Sequence, residues 1–538
     1  MTQTIPGITR RQLMELITAG PVAAAALGLP VSALAQSRKD VLVIGIDISD
    51  SVTFDPAAEA QYTAPMTLEA VYDALFTMSP GDYIDVKPRL ATAWERTPDG
   101  KGWRVTLRQG VKFNSGNPMT AEDVKWSLDR VLNLRQQPWQ YITNITAVNI
   151  VDPEHIDILL ADPDRPILDV LAAPTFPVYD RKVLEAHGGV ATADAATKDK
   201  ATDWLNQHSC GTGAYTLVRW QRNIMIQLVR NPHYWGATPA FERVVIRHFS
   251  DSAAQLLAVE RGDVDAAFNL IPEQIATLKN SKKVRIARLK SLDFVYIALT
   301  SDADLNKALS VQAARQAVGY AIDYDGIRDK LLGGAALRPA SFLPIGVLGS
   351  TPEVVKKVGF REDLDKAKTL LQTAGFPDGF SFKLSYGEAA IAGLSYGVLA
   401  EKIQSDLARV GIKATLDPLD QVAMRTQYLT GHSSSAITYW NPPAVDNWLW
   451  AAASVQRVAK RVHWVPSAEM VKLVNDAADE QDRQKQIALW IEYQRRMVEY
   501  ANLIVLFQPI YQIAVSDRIK SFPLTAAGWQ LDVCDVTV

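Results

Sequence analysis

Histidine and cysteine are scarce in this chain, whose 538 residues include seven His and two Cys. The histidines are scattered, and the sequence contains no His-x-x-x-His or Cys-x-x-Cys pair. It therefore carries no recognisable zinc or iron–sulfur motif, and we expect neither a metal nor a cofactor. Cys210 and Cys534 leave two alternatives open: one disulfide, or two free buried thiols.

The chain also lacks an excess of charge of either sign. Lys and Arg total 56 against 59 Asp and Glu, which gives a net charge of −3 without a run of like charges. A nucleic-acid-binding surface is therefore not expected. The composition, 48% apolar and 21% charged, is that of a globular protein, and the length indicates more than one domain.

Long apolar runs are absent except near the N-terminus. There, "TRRQLMELITAGPVAAAALGLPVSALAQ" places a pair of arginines before an apolar stretch that ends in the small-residue motif "ALA". The pattern resembles a twin-arginine export signal, and we predict cleavage after Ala35, which removes residues 1–35 and leaves a periplasmic protein. The alternative is a permanent membrane anchor. It is disfavoured because glycine and proline interrupt a stretch too short for a bilayer.

The remainder of the chain alternates between strand and helix periodicity. In "GWRVTLRQGVKF", Trp103, Val105 and Leu107 alternate with polar residues, which predicts a strand. In "MTAEDVKWSLDRVL", apolar residues recur at helical spacing behind Thr120, a capping residue with Asp123 three positions later. Such alternation throughout predicts an α/β, or mixed α+β, fold class.

One motif suggests an enzyme. "GLSYG", residues 393–397, matches the G-x-S-x-G nucleophile elbow, with Ser395 as the candidate nucleophile. The elbow requires a strand directly before the serine, whereas "GEAAIAGLSYGVLAEKIQ" is typical of a loop that enters a helix. We therefore interpret Ser395 as part of an ordinary helix N-terminus and predict that the protein is not an enzyme. A secreted serine hydrolase that uses Ser395 is the alternative.

Four blocks of sequence, in order, resemble a known family. The first is "PRLATAWERTPDGKGWRVTLRQGVKFNSGNPMTAEDVKWSLDRVL", and the others span 211–267, 314–327 ("ARQAVGYAIDYDGI") and 364–420. Together they resemble the extracellular solute-binding proteins of family 5, the dipeptide- and oligopeptide-type binding proteins of ABC importers. The resemblance covers essentially the whole chain after the predicted leader.

The resemblance implies a two-lobed periplasmic-binding-protein fold (type II, venus-flytrap) with an extra domain on the first lobe. Laid on this sequence, lobe I takes 36–77, 208–297 and 506–538, the extra domain takes 78–207, and lobe II takes 298–505.

The implied function is capture of a peptide or peptide-like small solute by lobe closure. A membrane permease with its ATPase is the implied partner, and we expect a monomer. A solute receptor for a signalling partner is a further alternative.

The segment "SSSAITYWNPPAVDNWLW", residues 433–450, is the candidate ligand site. In peptide-binding relatives, the equivalent segment carries an aspartate that pairs with the α-amine of the ligand, and Asn441 stands at that place here. Asparagine brings no charge, which disfavours a simple zwitterionic peptide, although Asp446 offers a charge nearby. We predict Tyr439, Trp440, Asn441 and Asp446 as ligand contacts. The alternative is that the tryptophans of this segment pack the core of lobe II.

Overall fold

The computed structural model describes residues 39–58, 63–79, 82–163, 165, 167–440, 445–526 and 531–538. The predicted leader and one predicted ligand contact, Asn441, lie outside the described residues. No helix in these ranges has both the length and the apolar character that a membrane crossing requires. Nor, in the same ranges, do three His, Cys, Asp or Glu side chains come together in a way that could hold a metal ion. Cys210 and Cys534 are free thiols in the structure.

The predicted α/β class is confirmed by the mixture of strands and helices. The strands of the described chain are β1 (Val41–Ile46), β2 (Phe76–Ser79), β3 (Asp82–Pro88), β4 (Ala91–Arg96), β5 (Gly102–Leu107), β6 (Ile145–Asp152), β7 (His155–Leu160), β8 (Tyr215–Gln221), β9 (Met225–Arg230), β10 (Arg243–His248), β11 (Ala266–Ala267), β12 (Val284–Lys290), β13 (Phe294–Leu299), β14 (Ala336–Leu337), β15 (Ser381–Gly387), β16 (Ala390–Ile391), β17 (Leu394–Ser395), β18 (Lys413–Leu419), β19 (Ser435–Trp440) and β20 (Leu503–Ser516).

Helices connect most of these strands. The α-helices are Ala64–Val71, Ala121–Leu134, Arg181–Ala186, Ala195–Lys198, Thr202–Leu205, Ser252–Arg261, Pro272–Leu278, Gln312–Ala321, Tyr324–Gly326, Pro352–Val358, Leu364–Thr373, Tyr396–Ala408, Gln421–Leu429, Asn447–Ala453, Ala459–Arg461, Ala468–Asp479 and Arg483–Tyr500. Shorter 3₁₀ turns are Gln137–Tyr141, Val170–Ala172 and Val533–Asp535, and π-helical turns are Ile327–Leu331 and Ser454–Val458.

One sheet runs through both halves of the molecule, in the order β18-β15-β19-β13-β20-β11-β1-β10-β9-β8, with β12 and β14 also paired to β20. Strand β20 is shared between the halves. Its residues 503–507 pair with β13, and its residues 510–516 pair with β12. We define lobe I as β1, β8 to β12 and the last part of β20, and lobe II as β13, β15, β18, β19 and the first part of β20. The chain therefore crosses between the lobes within β20 and again between β12 and β13.

A separate antiparallel sheet, ordered β4-β5-β7-β6, forms the extra domain together with the helix Ala121–Leu134. Val105 of the sheet and Val124 of the helix are buried in a core that belongs to this domain. The helix begins where the sequence predicts it, with Thr120 as the N-cap. The backbone N–H and hydroxyl of Thr120 donate to the Asp123 carboxylate at 2.8 and 2.6 Å. These bonds anchor the first turn of the helix.

A buried arginine attaches the extra domain to lobe I. Arg130, on the extra-domain helix, is 0% exposed and donates to both carboxylate oxygens of Asp55 at 2.8 and 2.7 Å. It also donates to Asp199 at 2.8 and 3.0 Å, and the Thr202 hydroxyl donates to Asp55 at 2.8 Å. Burial opposes the charge of Arg130, but the two carboxylates outweigh that effect and raise its pKa well above the ordinary value. The extra domain is thus held to lobe I by a fully paired ionic network.

Replacement of Arg130 should therefore be costly. In Arg130→Leu, Asp55 and Asp199 keep their burial and lose their cation, so we expect a loss of about 3–5 kcal/mol in the free energy of unfolding. Arg104→Leu is the matched control, because its pair with Asp157 is partly exposed and an exposed ion pair contributes little to stability. Urea denaturation of both variants measures the difference, and equal losses would contradict the assignment.

A second buried carboxylate, Glu69, is poorly paired. Arg89 hydrogen-bonds to Asp73, whose other oxygen accepts from Thr212 and Trp235 at 2.7 and 2.8 Å. The guanidinium of Arg89 is 3.9 Å from Glu69, beyond hydrogen-bond distance. Burial raises the pKa of Glu69 well above its ordinary value, and the attraction of Arg89 only partly opposes this rise. The folded protein therefore favours the protonated form of Glu69.

This rise in pKa makes stability depend on pH. The folded state holds the proton more tightly than the unfolded chain, whose Glu pKa is about 4.3, so the contribution of Glu69 to stability falls as pH rises above that value through the folded pKa. Glu69→Gln should therefore gain stability relative to wild type between pH 5 and pH 8 in urea titrations. Glu122→Gln, at an exposed carboxylate, should show no such trend. A pH-independent loss in Glu69→Gln would show instead that Arg89 stabilises the charge.

Candidate functional site

The directions of the strands place the carboxyl ends of strands from both lobes at one cleft. Strands β1, β10 and β11 are mutually parallel, and β11 and β12 run antiparallel to β20. These lobe I strands therefore end toward lobe II. In lobe II, β19 is antiparallel to β13, and β15 and β18 are parallel to β19, so these three strands end toward lobe I. Loops at the carboxyl ends of such strands are the usual place for a ligand in α/β sheets.

The two crossovers between the lobes are joined by one amide. Gln508, within β20, is 0% exposed, and its Nε2 donates to the carbonyl oxygens of Ser291 and Ile345 at 2.6 and 3.0 Å. Its Oε1 accepts from the backbone N–H of Ile345 at 2.7 Å. Beside it, the Tyr511 hydroxyl donates to the buried Asp293 at 2.8 Å. The polar groups at the floor of the cleft are therefore hydrogen-bonded within the hinge itself.

Two of the predicted ligand contacts lie at the cleft end of β19. Tyr439 and Trp440 are the last residues of the strand, paired with Val295 and Phe294 of β13, and both are half-buried. The Trp440 ring packs at a tilt against the buried Phe342, with 5.1 Å between ring centroids. Its indole N–H is buried without a hydrogen-bond acceptor. Trp440 therefore contributes to the packing of lobe II and also borders the cleft.

Asp446 has a local structural role. It is the N-cap of the helix Asn447–Ala453, and its Oδ1 accepts from the backbone N–H of Leu449 at 3.2 Å. Burial raises the pKa of Asp446, and the two backbone N–H groups of the helix and the nearby Arg165 oppose that rise. The carboxylate is thus directed to a helix terminus, where backbone N–H groups stabilise it.

The other tryptophans of the candidate segment have different surroundings. Trp450 is 0% exposed and belongs to the core, as the packing alternative predicts for the tryptophans of this segment. Trp448 is half-buried and faces the extra domain, where the guanidinium of Arg165 lies 4.4 Å from its ring centroid. Arg165 also donates to Asn475 of lobe II at 3.1 Å and to Asp162 at 2.9 Å. Contacts between the extra domain and lobe II therefore cross the mouth of the cleft.

A second arginine extends from lobe II to the extra domain. Arg457, in the π-helical turn Ser454–Val458 of lobe II, hydrogen-bonds through Nη1 to the side-chain oxygen of Gln140 in the extra domain. Its guanidinium lies 5.1 Å from the Tyr141 ring centroid and 5.7 Å from that of Trp440. Sequence reasoning missed Arg165, Arg457 and Gln508, because no local pattern distinguishes them from the other polar residues of the chain.

Ser395 lies at a helix N-terminus, as we interpreted it from the sequence. It is the N-cap of the helix Tyr396–Ala408, and its hydroxyl accepts from the backbone N–H of Gly397 at 3.1 Å. Ser395 is also the last residue of the two-residue strand β17, which pairs with the two-residue β16. This is a small hairpin that leads into a helix, without the long central strand that a nucleophile elbow requires.

These features define a class of protein: two hinged lobes on a shared sheet, with a cleft between the carboxyl ends of their strands, form a solute-binding protein. The family described as "Bacterial extracellular solute-binding proteins, family 5 Middle" matches residues 85–456, and the chain belongs to this family. The resemblance inferred from the four sequence blocks is thereby confirmed.

Named relatives agree with this membership. The chain is 29% identical over 506 residues to the "Probable D,D-dipeptide-binding periplasmic protein DdpA" of Escherichia coli (strain K12), covering 92% of this chain and 94% of the relative. It is 28% identical over 412 residues to the "Glutathione-binding protein GsiB" of Salmonella typhi, covering 74% of this chain and 73% of the relative.

Solved structures share the two-lobed fold. The dipeptide-binding protein from Pseudoalteromonas sp. SM9913, in complex with Met-Leu, matches with a TM-score of 0.79 at 20% identity, over 92% of this chain and 99% of that one. A periplasmic binding protein of Agrobacterium tumefaciens R10 in complex with agropinic acid matches with a TM-score of 0.76 at 21% identity, over 93% and 98%. At these identities, the likeness establishes the fold.

The contacts across the cleft mouth yield a prediction. Arg165→Ala removes a cation–π contact and a hydrogen bond to lobe II, which together stabilise the closed arrangement by about 1–2 kcal/mol, or roughly 5- to 30-fold in the closing equilibrium. We expect a larger radius of gyration by X-ray scattering. Arg96→Ala is the control, because Arg96 stacks on Trp103 inside the extra domain. An unchanged scattering curve for Arg165→Ala would show that Arg165 does not stabilise the closed arrangement.

Proposed function

We propose that the protein is the periplasmic substrate-binding component of an ABC importer. It captures a peptide or peptide-like small solute by closing its lobes and delivers the solute to the membrane permease and its ATPase. The observation that carries the proposal is the shared strand β20, which hinges two lobes around a cleft lined by strand ends. Export by a twin-arginine leader ending at Ala35 and a monomeric state belong to the same proposal.

The mechanism is binding without chemistry. A ligand that contacts both lobes binds the closed form more tightly than the open form, and it shifts the population toward closure by that difference in affinity. The hinge concentrates the motion near Gln508 and the connection between β12 and β13. The closed protein presents the solute and both lobes together to the permease. No described group of the cleft needs to exchange a covalent bond for this function, and the local role of Ser395 offers no support for the hydrolase alternative.

The relatives support a peptide-like substrate. Their names include a probable D,D-dipeptide-binding periplasmic protein, a glutathione-binding protein and a dipeptide-binding protein, and dipeptides and glutathione both contain amide bonds and carboxylates. Within the proposal, Tyr439 and Trp440 line the ligand, Asn441 hydrogen-bonds it without charge, and Asp446 supplies negative potential from its helix cap. Asn441 in place of an aspartate favours ligands whose recognition does not depend on a free α-amine.

Thermal unfolding with a panel of candidate solutes tests the proposal. The panel contains alanyl-alanine in its L,L and D,D forms, glutathione and haem. A true ligand at one hundred times its dissociation constant adds about 2.7 kcal/mol to the stability of the folded state. X-ray scattering should show a smaller radius of gyration with that ligand. Identical scattering curves, or catalytic turnover of the ligand, would refute the proposal.

Trp440→Ala should abolish the ligand-induced stabilisation while the unliganded protein still unfolds cooperatively. The ring packs on Phe342, so some loss of basal stability accompanies the change, and each shift is measured against the variant's own unliganded state. Trp204→Ala is the matched control, because Trp204 stacks between His187 and His208 and is not among the predicted ligand contacts. Ser395→Ala should also keep the full shift. A normal shift in Trp440→Ala would place the ligand elsewhere.

A further inference from the structure

Arg457 stands at the junction of lobe II and the extra domain without a carboxylate partner. Its charge lies between the rings of Tyr141 and Trp440, and Nη1 donates to the neutral amide oxygen of Gln140. No Asp or Glu in the described part of the chain forms an ion pair with it. By contrast, Arg165, the other arginine at the cleft mouth, pairs with Asp162. A half-buried guanidinium that faces aromatic rings and a neutral amide keeps the capacity to pair with an anion.

A second donor beside Arg457 also lacks an acceptor. The indole N–H of Trp440 is buried without a hydrogen-bond partner, although buried donors in native structures are nearly always paired. The guanidinium lies 5.7 Å from the centroid of the same indole ring. A cation and an unpaired donor therefore border the same region, at the end of a strand that reaches the cleft.

We infer that Arg457 and the Trp440 indole form a subsite for a carboxylate of the bound solute. The inference rests on the proposed function and deepens it, because it restricts the cargo to acids. Arg457 supplies the charge and the forked donors, Trp440 supplies one neutral donor, and the Tyr141 ring flanks the guanidinium from the extra domain. A ligand held there contacts lobe II directly and meets the extra domain through Gln140 and Tyr141, so its binding is coupled to closure.

A different role for Arg457 has to be separated from this one. If Arg457 acts only as a latch, that is, as a link between lobe II and the extra domain through its hydrogen bond to Gln140, it favours closure around any ligand, whatever the charge of that ligand. As a carboxylate site, it favours only ligands that carry the acid. Each alanyl-alanine stereoisomer of the panel is therefore measured as the free acid and as the C-terminal amide, because the pair differs only at the group in question.

Isothermal titration calorimetry with these probes tests the inference. Wild type should bind the acid more tightly than the amide. Arg457→Gln should weaken the acid roughly 10- to 100-fold, the range of a charge-assisted hydrogen bond, and should leave the amide nearly unchanged. Arg457→Lys should recover part of the lost affinity, because lysine keeps the positive charge but lacks the paired N–H donors of the guanidinium. Trp440→Phe keeps an aromatic ring and should weaken the acid roughly 5-fold through the lost neutral donor.

Arg461→Gln is the matched control. Arg461 lies four positions further along the chain, with its guanidinium 5.4 Å from the Tyr428 ring centroid, so its replacement should leave both probes unaffected. Equal weakening of acid and amide by Arg457→Gln would identify a latch and overturn the subsite. The absence of any preference for the acid over the amide in wild type would overturn it as well.

Failure of the peptide proposal would look different. If wild type binds no dipeptide in either form, native mass spectrometry of the small molecule that copurifies with wild type, Arg457→Gln and Arg461→Gln decides the subsite. An acidic molecule retained by wild type and Arg461→Gln but lost from Arg457→Gln supports it. A neutral molecule, equal retention by all three proteins, or no acidic molecule on wild type overturns it.

Discussion

Strand β20 is the constraint on which the rest of the structure depends. It runs from lobe II into lobe I without interruption, pairs with β13 at one end and with β12 at the other, and thereby aligns both lobes on one axis. Because its partners are antiparallel to it and β11 is parallel to β1, the lobe I strands must end toward lobe II. The strand order of lobe II sends β15, β18 and β19 the opposite way. The cleft is therefore a consequence of strand direction rather than of any particular side chain.

The extra domain has two interfaces, one with lobe I and one with lobe II, and they differ in burial. We expect the less buried interface, the one with lobe II, to open. Arg130 holds the extra domain to lobe I through Asp55, in a buried network that also includes Asp199, and separating this network would leave charges without water or a partner. Arg165 and Arg457 connect the extra domain to lobe II through half-buried stacks and single hydrogen bonds, whose loss to solvent costs little. We therefore expect the extra domain to move with lobe I as one body. We expect the motion to centre on the crossovers, where the amide of Gln508 pairs the polar backbone.

Local features were predictable from sequence because their causes are local. The Thr120 cap and its Asp123 partner lie three residues apart, and the helix that follows keeps its apolar spacing in the structure. The same applies to Ser395, whose surroundings in sequence already favoured a helix terminus. Gln508 and Arg457 were not predictable, since their partners Ser291 and Gln140 lie hundreds of positions away in sequence. Tyr439 and Trp440 were predictable in part. Their residue types singled out the segment, but the end of β19 at the cleft follows from the pairing of the sheet.

The inferred carboxylate subsite at Trp440 and Arg457 would give the cleft a physical basis for selecting its cargo. A buried indole N–H without an acceptor raises the free energy of the folded protein in this arrangement, and the guanidinium beside it has no carboxylate partner. A solute that provides oxygens to both donors removes that penalty, whereas an isostere without them leaves it in place. Selectivity then arises mainly from unpaired donors in the closed state, a mechanism that rejects a missing acceptor far more strongly than a missing methylene. The same penalty disfavours closure without a solute, so recognition and closure share one physical origin.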